Sequence, residues 1–306
     1  MTYATRVESV NSRQVVSLVE ETTGARASVL PDVGFNLFDL RLPAAGSVWP
    51  VVACRPEWPE DVSHPTKNGI PILFPFPNRI AGASFEFGGK TYTLEPNKPP
   101  NAIHGFATQT AWDVVGMGAD DQSAWVTGRF QISRNAPEDL PRWPSDAAIE
   151  VRYTLSGASL RLEATISNPG EGPLPWGFGI HPYFHLPLNP DGDPKDTRIA
   201  LPAREFWVLN QTIPTGERRT VETEPRLDFR SGRPIAGADL DDVLTGLEFV
   251  GDRAEARMVD ESIGVELRVG FDRSFRDLVV FTPPTGEGRV LAVEPYTMTT
   301  DAVHLE

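Results

Sequence analysis

Residues 84–94 read SFEFGGKTYTL, and this stretch indicates the fold class of the chain. Large side chains alternate with polar ones on both sides of Gly88-Gly89, which is the period of a β-strand. The two glycines supply the positive φ angles that a two-residue hairpin turn needs. The sequence therefore predicts an antiparallel β-hairpin at this position.

Strand-like segments continue along the rest of the chain. They are short runs rich in Val, Ile, Leu, Phe or Thr: RQVVSLVE, ARASVL, NLFDLRL, SAWVTGRFQI, AAIEVRYTL, SLRLEATIS, AEARMV, GVELRVGF and DLVVFT. No segment of a dozen residues has a clean helical period, and the 29 prolines and 26 glycines favour short helices at most. We expect an all-β fold with few short helices. We also expect one domain over residues 1–306, because no repeat or linker-like composition shift is present.

The composition limits the classes of partner. The chain has 42 acidic and 28 basic residues, and the net charge of -14 argues against nucleic-acid and membrane partners. Cys54 is the only cysteine, which excludes an intrachain disulfide and a thiolate zinc cluster. The N-terminal sequence has no signal pattern and no apolar run is long enough for a membrane span, so we expect a cytoplasmic protein. The sequence fits a monomer or a homodimer.

Three residues are candidates for proton transfer. His104 lies in NAIHGF, where Gly105 lets the backbone turn directly after the imidazole, and His181 lies in GFGIHPYFHL among glycines and aromatic residues. Glu294 follows the apolar run VLAV, and a carboxylate at the end of a buried strand needs a partner or a function. Histidine gains and loses a proton near neutral pH. Two imidazoles and one carboxylate therefore make a proton-transfer site that needs neither metal nor nucleotide.

Other residues favour a sugar as the small-molecule ligand. The aromatic residues around His181 suit the apolar face of a sugar ring. The planar guanidinium of Arg79, in FPFPNRIAG, can hold a pair of hydroxyls. Asp241 and Asp242, in ADLDDVLTGL, form a helix cap or a turn, or else accept hydrogen bonds from sugar hydroxyls. No zinc, calcium, phosphate-loop or nucleophile-elbow motif is present, so we expect no metal site and no cofactor.

The order and spelling of these segments resemble the aldose 1-epimerase (mutarotase) family. The resemblance covers nearly the whole chain, through GIPILFPFPNRI, FEFGGKTYTL, NAIHGF with its downstream Trp112, GFGIHPYFHL, LDDVLTGL and EPYTMTTDA. It implies a β-supersandwich of large antiparallel sheets that holds a monosaccharide in an open cleft on one face. It also implies an isomerase that needs no cofactor.

The resemblance further implies a role for each site residue. Glu294 resembles the general base that takes the proton from the C1 hydroxyl, and His181 resembles the general acid that protonates the ring oxygen. His104 resembles the second histidine, which binds near the ring oxygen. Arg79 and one of the two aspartates resemble the residues that hold sugar hydroxyls. Asp241 is the better match, because it follows a hydrophobic residue as the family's aspartate does.

Several alternatives remain open. A hexose-6-phosphate 1-epimerase would need several Arg or Lys side chains at one end of the cleft, whereas Arg79 is the only basic residue that adjoins a site motif. A non-catalytic carbohydrate-binding protein on the same fold would lack the three proton carriers. A glycoside hydrolase needs two carboxylates that flank the scissile bond, and Glu294 has no second one except the Asp241–Asp242 pair. FGIHPYFHL differs from the version in the galactose enzymes, which leaves the preferred aldose open.

Overall fold

The computed structural model describes residues 2–284 and 289–305. About 50% of the residues are in strands and 9% are in helices. The described residues form 25 strands, one four-residue α-helix and seven 3-10 helices. The prediction of an all-β fold with few short helices is therefore confirmed. Within the described residues no helix is long and apolar enough to span a bilayer.

The elements follow one another along the chain with short connections. The first twelve strands are β1 Tyr3–Val10, β2 Arg13–Glu20, β3 Ala25–Leu30, β4 Asn36–Ala44, β5 Ser47–Pro50, β6 Ile72–Leu73, β7 Arg79–Ile80, β8 Ser84–Phe87, β9 Lys90–Thr93, β10 Ala102–Ile103, β11 Asp113–Ala119 and β12 Ala124–Gln131. The remaining strands are β13 Ala148–Ser156, β14 Ser159–Ser167, β15 Gly179–Ile180, β16 Tyr183–His185, β17 Thr197–Ala200, β18 Ala203–Asn210, β19 Ile213–Thr220, β20 Arg233–Pro234, β21 Asp241–Leu247, β22 Arg253–Asp260, β23 Val265–Asp272, β24 Asp277–Phe281 and β25 Val290–Tyr296. The helices are α1 Ile132–Asn135 and the 3-10 turns Pro65–Lys67, Ala81–Ala83, Pro137–Arg142, Pro194–Asp196, Val221–Thr223, Pro225–Leu227 and Ala302–His304.

All strand pairs within the sheets are antiparallel. One five-stranded sheet has the order β1-β2-β3-β4-β5, and two four-stranded sheets have the orders β11-β12-β13-β14 and β20-β17-β22-β23. The eight-stranded sheet has the order β19-β18-β21-β24-β25-β15-β6, with β16 also paired to β25. Two small sheets, β10-β7 and β8-β9, complete the set. The β8-β9 pair is the hairpin that SFEFGGKTYTL predicts, with φ of 60° at Gly88 and 76° at Gly89.

A large hydrophobic cluster joins the four larger sheets. It includes Leu18 of β2, Val126 of β12, Ile199 of β17 and Leu278 of β24. Aromatic rings fix the packing between the first two of these sheets, because Phe35 stacks on Trp112 at 5.5 Å and on Tyr153 at 5.6 Å. That residues 1–306 form one domain stays a prediction.

The eight-stranded sheet has two faces with different environments. Since side chains alternate along a strand, Leu291 and Val293 of β25 point into the large cluster, whereas Glu294 and Tyr296, two positions apart, share the opposite face. That opposite face has its own small apolar cluster, made of Leu73, Val243, Val279 and Tyr296 with Trp207 and Leu209 packed against it. This face of the sheet carries the candidate site.

Candidate active site

Glu294 and His181 face each other across two neighbouring strand segments. Gly179 pairs with Tyr296 and Tyr183 pairs with Ala292, so His181, between β15 and β16, lies across from Glu294. The distance between His181 Nε2 and Glu294 Oε1 is 3.2 Å. Glu294 is 1% exposed and lies within β25 rather than at the strand end. The structure therefore brings together two residues that are more than a hundred positions apart in the sequence.

His104 adjoins this pair from a different sheet. It follows β10, which pairs with β7, and its ring centroid lies 5.6 Å from that of His181 in an edge-to-face arrangement. The backbone N–H of Asn78 donates to His104 Nδ1 at 3.3 Å, and the backbone N–H of His104 donates to the Asn78 carbonyl at 2.9 Å. Because Nδ1 is an acceptor, the proton of the neutral ring is on Nε2. His104 is thus set up as a hydrogen-bond donor through Nε2.

Arg79 is held by its neighbour in the sequence and by the distant C-terminal segment. Its Nη1 donates to Asn78 Oδ1 at 2.9 Å. Asp301, in the C-terminal EPYTMTTDA segment, bonds to the backbone of Arg79 and of Ala81: the Asp301 N–H donates to the Arg79 carbonyl, and the Ala81 N–H donates to Asp301 Oδ1, each at 2.9 Å. The C-terminal segment therefore fixes the short strand that carries the guanidinium.

The two candidate aspartates have different environments. Asp242 is buried, and its two carboxylate oxygens accept from Arg226 Nη1 at 2.8 Å and Nη2 at 2.7 Å. Asp241 is exposed at the start of β21, and partial desolvation nevertheless raises its pKa, which Arg79 opposes. The expectation of a helix cap or a turn here is wrong, since pairing with β24 makes residues 241–247 a strand.

Burial dominates the electrostatics of Glu294, His181 and His104. It raises the pKa of the Glu294 carboxyl well above its ordinary 4.5; a hydrogen bond from Tyr296 opposes the rise and the charge of Asp241 adds to it. Burial also lowers the pKa of His181 to about 3. The pKa of His104 lies well below 6.5 because of burial and of the neighbouring His181. Burial therefore favours the uncharged form of each group.

The aromatic residues next to His181 only partly match their expected role as a sugar platform. Phe178 and Phe184 point into the large hydrophobic cluster and are 3% and 4% exposed. Tyr183 stacks on the imidazole of His181 with a centroid distance of 4.5 Å. The alternation of the strands explains the difference, because neighbouring residues in GFGIHPYFHL point to opposite faces of the sheet.

The fold agrees with the comparison to known proteins. Residues 23–306 match the family model of aldose 1-epimerases. The chain belongs to the aldose 1-epimerase family. Membership places it among the isomerases. A galactose mutarotase-like protein from Clostridium acetobutylicum, 23% identical, superposes with a TM-score of 0.89 over 99% of this chain and 90% of that chain. The predicted galactose mutarotase-like fold is confirmed.

Relatives within the aldose 1-epimerase family have different substrates in their names. A maltose epimerase from Levilactobacillus brevis is 30% identical over 248 residues, which cover 74% of this chain and 69% of that protein. Human galactose mutarotase is 29% identical over 154 residues, which cover 47% of this chain and 40% of that protein. This chain thus aligns with less than half the length of the human enzyme.

Proposed function

We propose that this chain is an aldose 1-epimerase that interconverts the α and β anomers of a free aldose, with Glu294 as general base and His181 as general acid. The observation that carries the proposal is the 3.2 Å approach of His181 Nε2 to Glu294 Oε1 in a buried site that also contains His104. O1 and O5 of a pyranose are both bonded to C1, so an acid and a base this close together can serve both oxygens of one hemiacetal. Membership of the aldose 1-epimerase family supports the same chemistry.

The protonation state of the buried pair fits this role. A protonated Glu294 beside a neutral His181 has as many protons as a carboxylate beside an imidazolium. Transfer of one proton from Oε1 to Nε2 therefore produces the base and the acid together. The uncharged pair is the form that burial favours, and the polar hemiacetal of a bound sugar stabilises the charged pair that reacts.

Ring opening then requires two proton transfers. The Glu294 carboxylate takes the proton from the C1 hydroxyl, His181 gives a proton to O5, the C1–O5 bond breaks and C1=O1 forms. After rotation about C1–C2, O5 attacks the other face of C1. His181 takes its proton back from O5 and Glu294 returns the other to O1. Every proton and electron pair is restored, so the cycle consumes no co-reactant.

The other predicted site residues fit binding roles. His104, with its proton on Nε2, can donate to the ring oxygen. Arg79 opposes the rise in the pKa of Asp241, and both side chains affect the pKa of Glu294, which supports a role for both in holding hydroxyls of a sugar bound beside Glu294. Asp241 is a better hydroxyl ligand than Asp242, because both oxygens of Asp242 already accept from Arg226.

A free sugar fits the site better than a phosphorylated one. Among the described residues, Arg79 is the cation whose charge acts on Glu294 and His181. A phosphate dianion would need several arginine or lysine side chains around it. The names of the relatives include both a monosaccharide and a disaccharide, so the size of the free aldose has to be measured.

Anomer exchange measured by NMR tests the proposal. The rate would be followed with galactose, glucose, maltose and glucose 6-phosphate at equilibrium, with and without the protein. We expect acceleration for one or more of the free sugars, and a loss of about 100-fold or more in Glu294→Gln and in His181→Asn. Acceleration confined to glucose 6-phosphate would select the phosphosugar epimerase, and binding without acceleration would select a non-catalytic sugar-binding protein.

Matched controls distinguish the loss of a catalytic group from the general effect of the same substitution on charge and stability. Glu171 and His64 are exposed, whereas Glu294 and His181 are buried, so Glu171→Gln and His64→Asn make the same chemical changes at the surface. Both controls should retain the wild-type rate. Near-normal exchange by Glu294→Gln or His181→Asn would remove the assignment of the base or the acid.

A further inference from the structure

The acid and the base are each followed by the same dipeptide. The sequence reads His181-Pro182-Tyr183 in one segment and Glu294-Pro295-Tyr296 in the other. Because alternate residues of an extended segment share a face, each tyrosine points to the same side of the sheet as the proton carrier two positions before it. The fold thus places a phenol next to each of the two carriers.

Tyr296 is bonded to the base. Its hydroxyl donates to Glu294 Oε2, and the tyrosine is 0% exposed. This bond uses one carboxylate oxygen and leaves the other, Oε1, directed at His181 Nε2. The ring fits because residue 179, its partner across the strands, is glycine: a Cβ there would lie 2.4 Å from Tyr296 Cδ1.

Tyr183 has the equivalent relationship to the acid. Its hydroxyl lies 3.2 Å from His181 Nε2, and its ring stacks on the imidazole with an interplanar angle of 17°. Tyr183 is 5% exposed. The stack restricts the tilt of the imidazole, and the hydrogen bond restricts its rotation, so Nε2 remains directed at the point where Glu294 and the sugar meet.

We propose that Tyr296 and Tyr183 are positioning residues of the epimerase, each of which uses its hydroxyl to hold one proton carrier in its reactive orientation. The inference rests on the proposed function and goes beyond it, because neither tyrosine exchanges a proton with the sugar. Tyr296 has a second effect: a donor to a carboxylate stabilises its ionised form, so Tyr296 limits the rise in the pKa of Glu294 that burial causes.

Other groups that face Glu294 affect its ionisation as well. Arg79 from β7 lowers its pKa and Asp241 from β21 raises it, in addition to the contact with His181. All of these remain when the Tyr296 hydroxyl is removed. A shift in the titration of Glu294 in a Tyr296→Phe variant therefore reports on that hydroxyl.

The test is the pH profile of kcat/KM for Tyr296→Phe, measured by polarimetry. The pair is active when it holds one proton, and it loses that proton from Glu294 on the alkaline limb of the profile. Without its donor, Glu294 should hold this proton more tightly, so the alkaline limb should move up by about one pH unit. The rate on the plateau should fall about tenfold, because transfer of the proton from Glu294 to His181 is then less favourable. An alkaline limb at the wild-type pH would overturn the role of Tyr296.

Tyr183→Phe tests the other half of the proposal. It keeps the stacked ring and removes the hydrogen bond, so kcat should fall about tenfold, with KM close to the wild-type value. An unchanged kcat, or a loss that lies entirely in KM, would contradict a positioning role for Tyr183.

Tyr153→Phe is the matched control for both variants. Tyr153 is 0% exposed in the core, and its hydroxyl has no hydrogen-bond partner among the residues that the structure describes. This variant should keep the wild-type profile, kcat and KM.

Two further measurements cover the cases in which Tyr296→Phe does not fold or the wild type is inactive. Replacement of the five tyrosines by 3-fluorotyrosine, whose hydroxyl is a stronger donor, should move the alkaline limb down. If the wild type accelerates no sugar, the proposed function fails. The carboxyl band of Glu294, identified by infrared difference against Glu294→Gln, then still tests the hydrogen bond: it must titrate at higher pH in Tyr296→Phe.

Discussion

His181 and Glu294 form a buried pair in which the two pKa values are displaced in opposite directions. Burial lowers the pKa of the imidazole to about 3 and raises that of the carboxyl well above 4.5. In the unfolded chain both groups have ordinary pKa values, so each group ionises more readily in the unfolded state than in the folded state. Each residue therefore lowers the stability of the folded protein, and the two do so over different ranges of pH.

Glu294 makes the protein less stable at high pH. Below pH 4.5 Glu294 is protonated in both states and has no effect; above it the unfolded state loses the proton while the folded state keeps it, so stability falls until the folded pKa is passed. Glu294→Gln should be more stable than the wild type at pH 8, by about 1.4 kcal/mol for each unit of the pKa rise. Urea unfolding at pH 4.5 and pH 8 measures the difference, and Glu171→Gln should show none. A Glu294→Gln variant that is less stable than the wild type at pH 8 would contradict the raised pKa.

His181 makes the protein less stable at low pH. Above pH 6.5 His181 is neutral in both the folded and the unfolded state. Between pH 6.5 and about 3 the unfolded state binds a proton that the folded state does not bind, so stability falls as the pH falls. The His181→Asn variant lacks this titrating group. Its free energy of unfolding should therefore fall less steeply between pH 6.5 and about 3 than that of the wild type, by as much as about 1.4 kcal/mol per pH unit. Thermal unfolding between pH 4 and pH 7 checks this. Parallel curves for wild type and His181→Asn would show that the histidine titrates normally.

Local sequence patterns predicted much of the fold. Segments such as AIEVRYTLS and RAEARMVD alternate cleanly, and they are strands β13 and β22. Strand β19 was not predicted, because IPTGERRT contains proline and glycine and is mostly exposed, which hides the period of two. Strand β21 was not predicted either, since its conformation depends on pairing with β24, whose partner residues are distant in sequence.

The candidate site was predicted from residue types, whereas its supporting groups depend on geometry. His104, His181 and Glu294 are distinguished by chemistry alone, and the structure brings all three together. Asn78 and Asp301 act through backbone hydrogen bonds to His104 and to the residues around Arg79, which no local pattern reveals. The repeated Pro-Tyr after each carrier was a visible signal, but its meaning depends on the register that places His181 across from Glu294.

The two neighbouring aspartates should respond differently to the same substitution. Asp241→Asn should raise KM about tenfold, the effect of about 1.5 kcal/mol lost from a hydrogen bond to a charged group, and should leave stability unchanged. Asp242→Asn should keep KM and lower the free energy of unfolding by about 1 kcal/mol, because its partner Arg226 is half exposed and solvent screens the pair. Steady-state kinetics measure KM and urea unfolding measures the free energy of unfolding for both variants. The reverse pattern would assign the sugar contact to Asp242.

Gly179 should tolerate no side chain, because Tyr296 occupies the space. A Cβ at residue 179 would lie 2.4 Å from Tyr296 Cδ1 and 2.8 Å from Pro77 Cβ, so Gly179→Ala has to displace one of the two rings. We expect a loss of about 1–3 kcal/mol in the free energy of unfolding, together with a lower kcat, because the displaced ring carries the hydroxyl that binds Glu294. Gly172→Ala is the control, since its nearest neighbour would be the Pro144 carbonyl oxygen at 4.0 Å. Wild-type stability and kcat in Gly179→Ala would show that Tyr296 can move without disturbing the base.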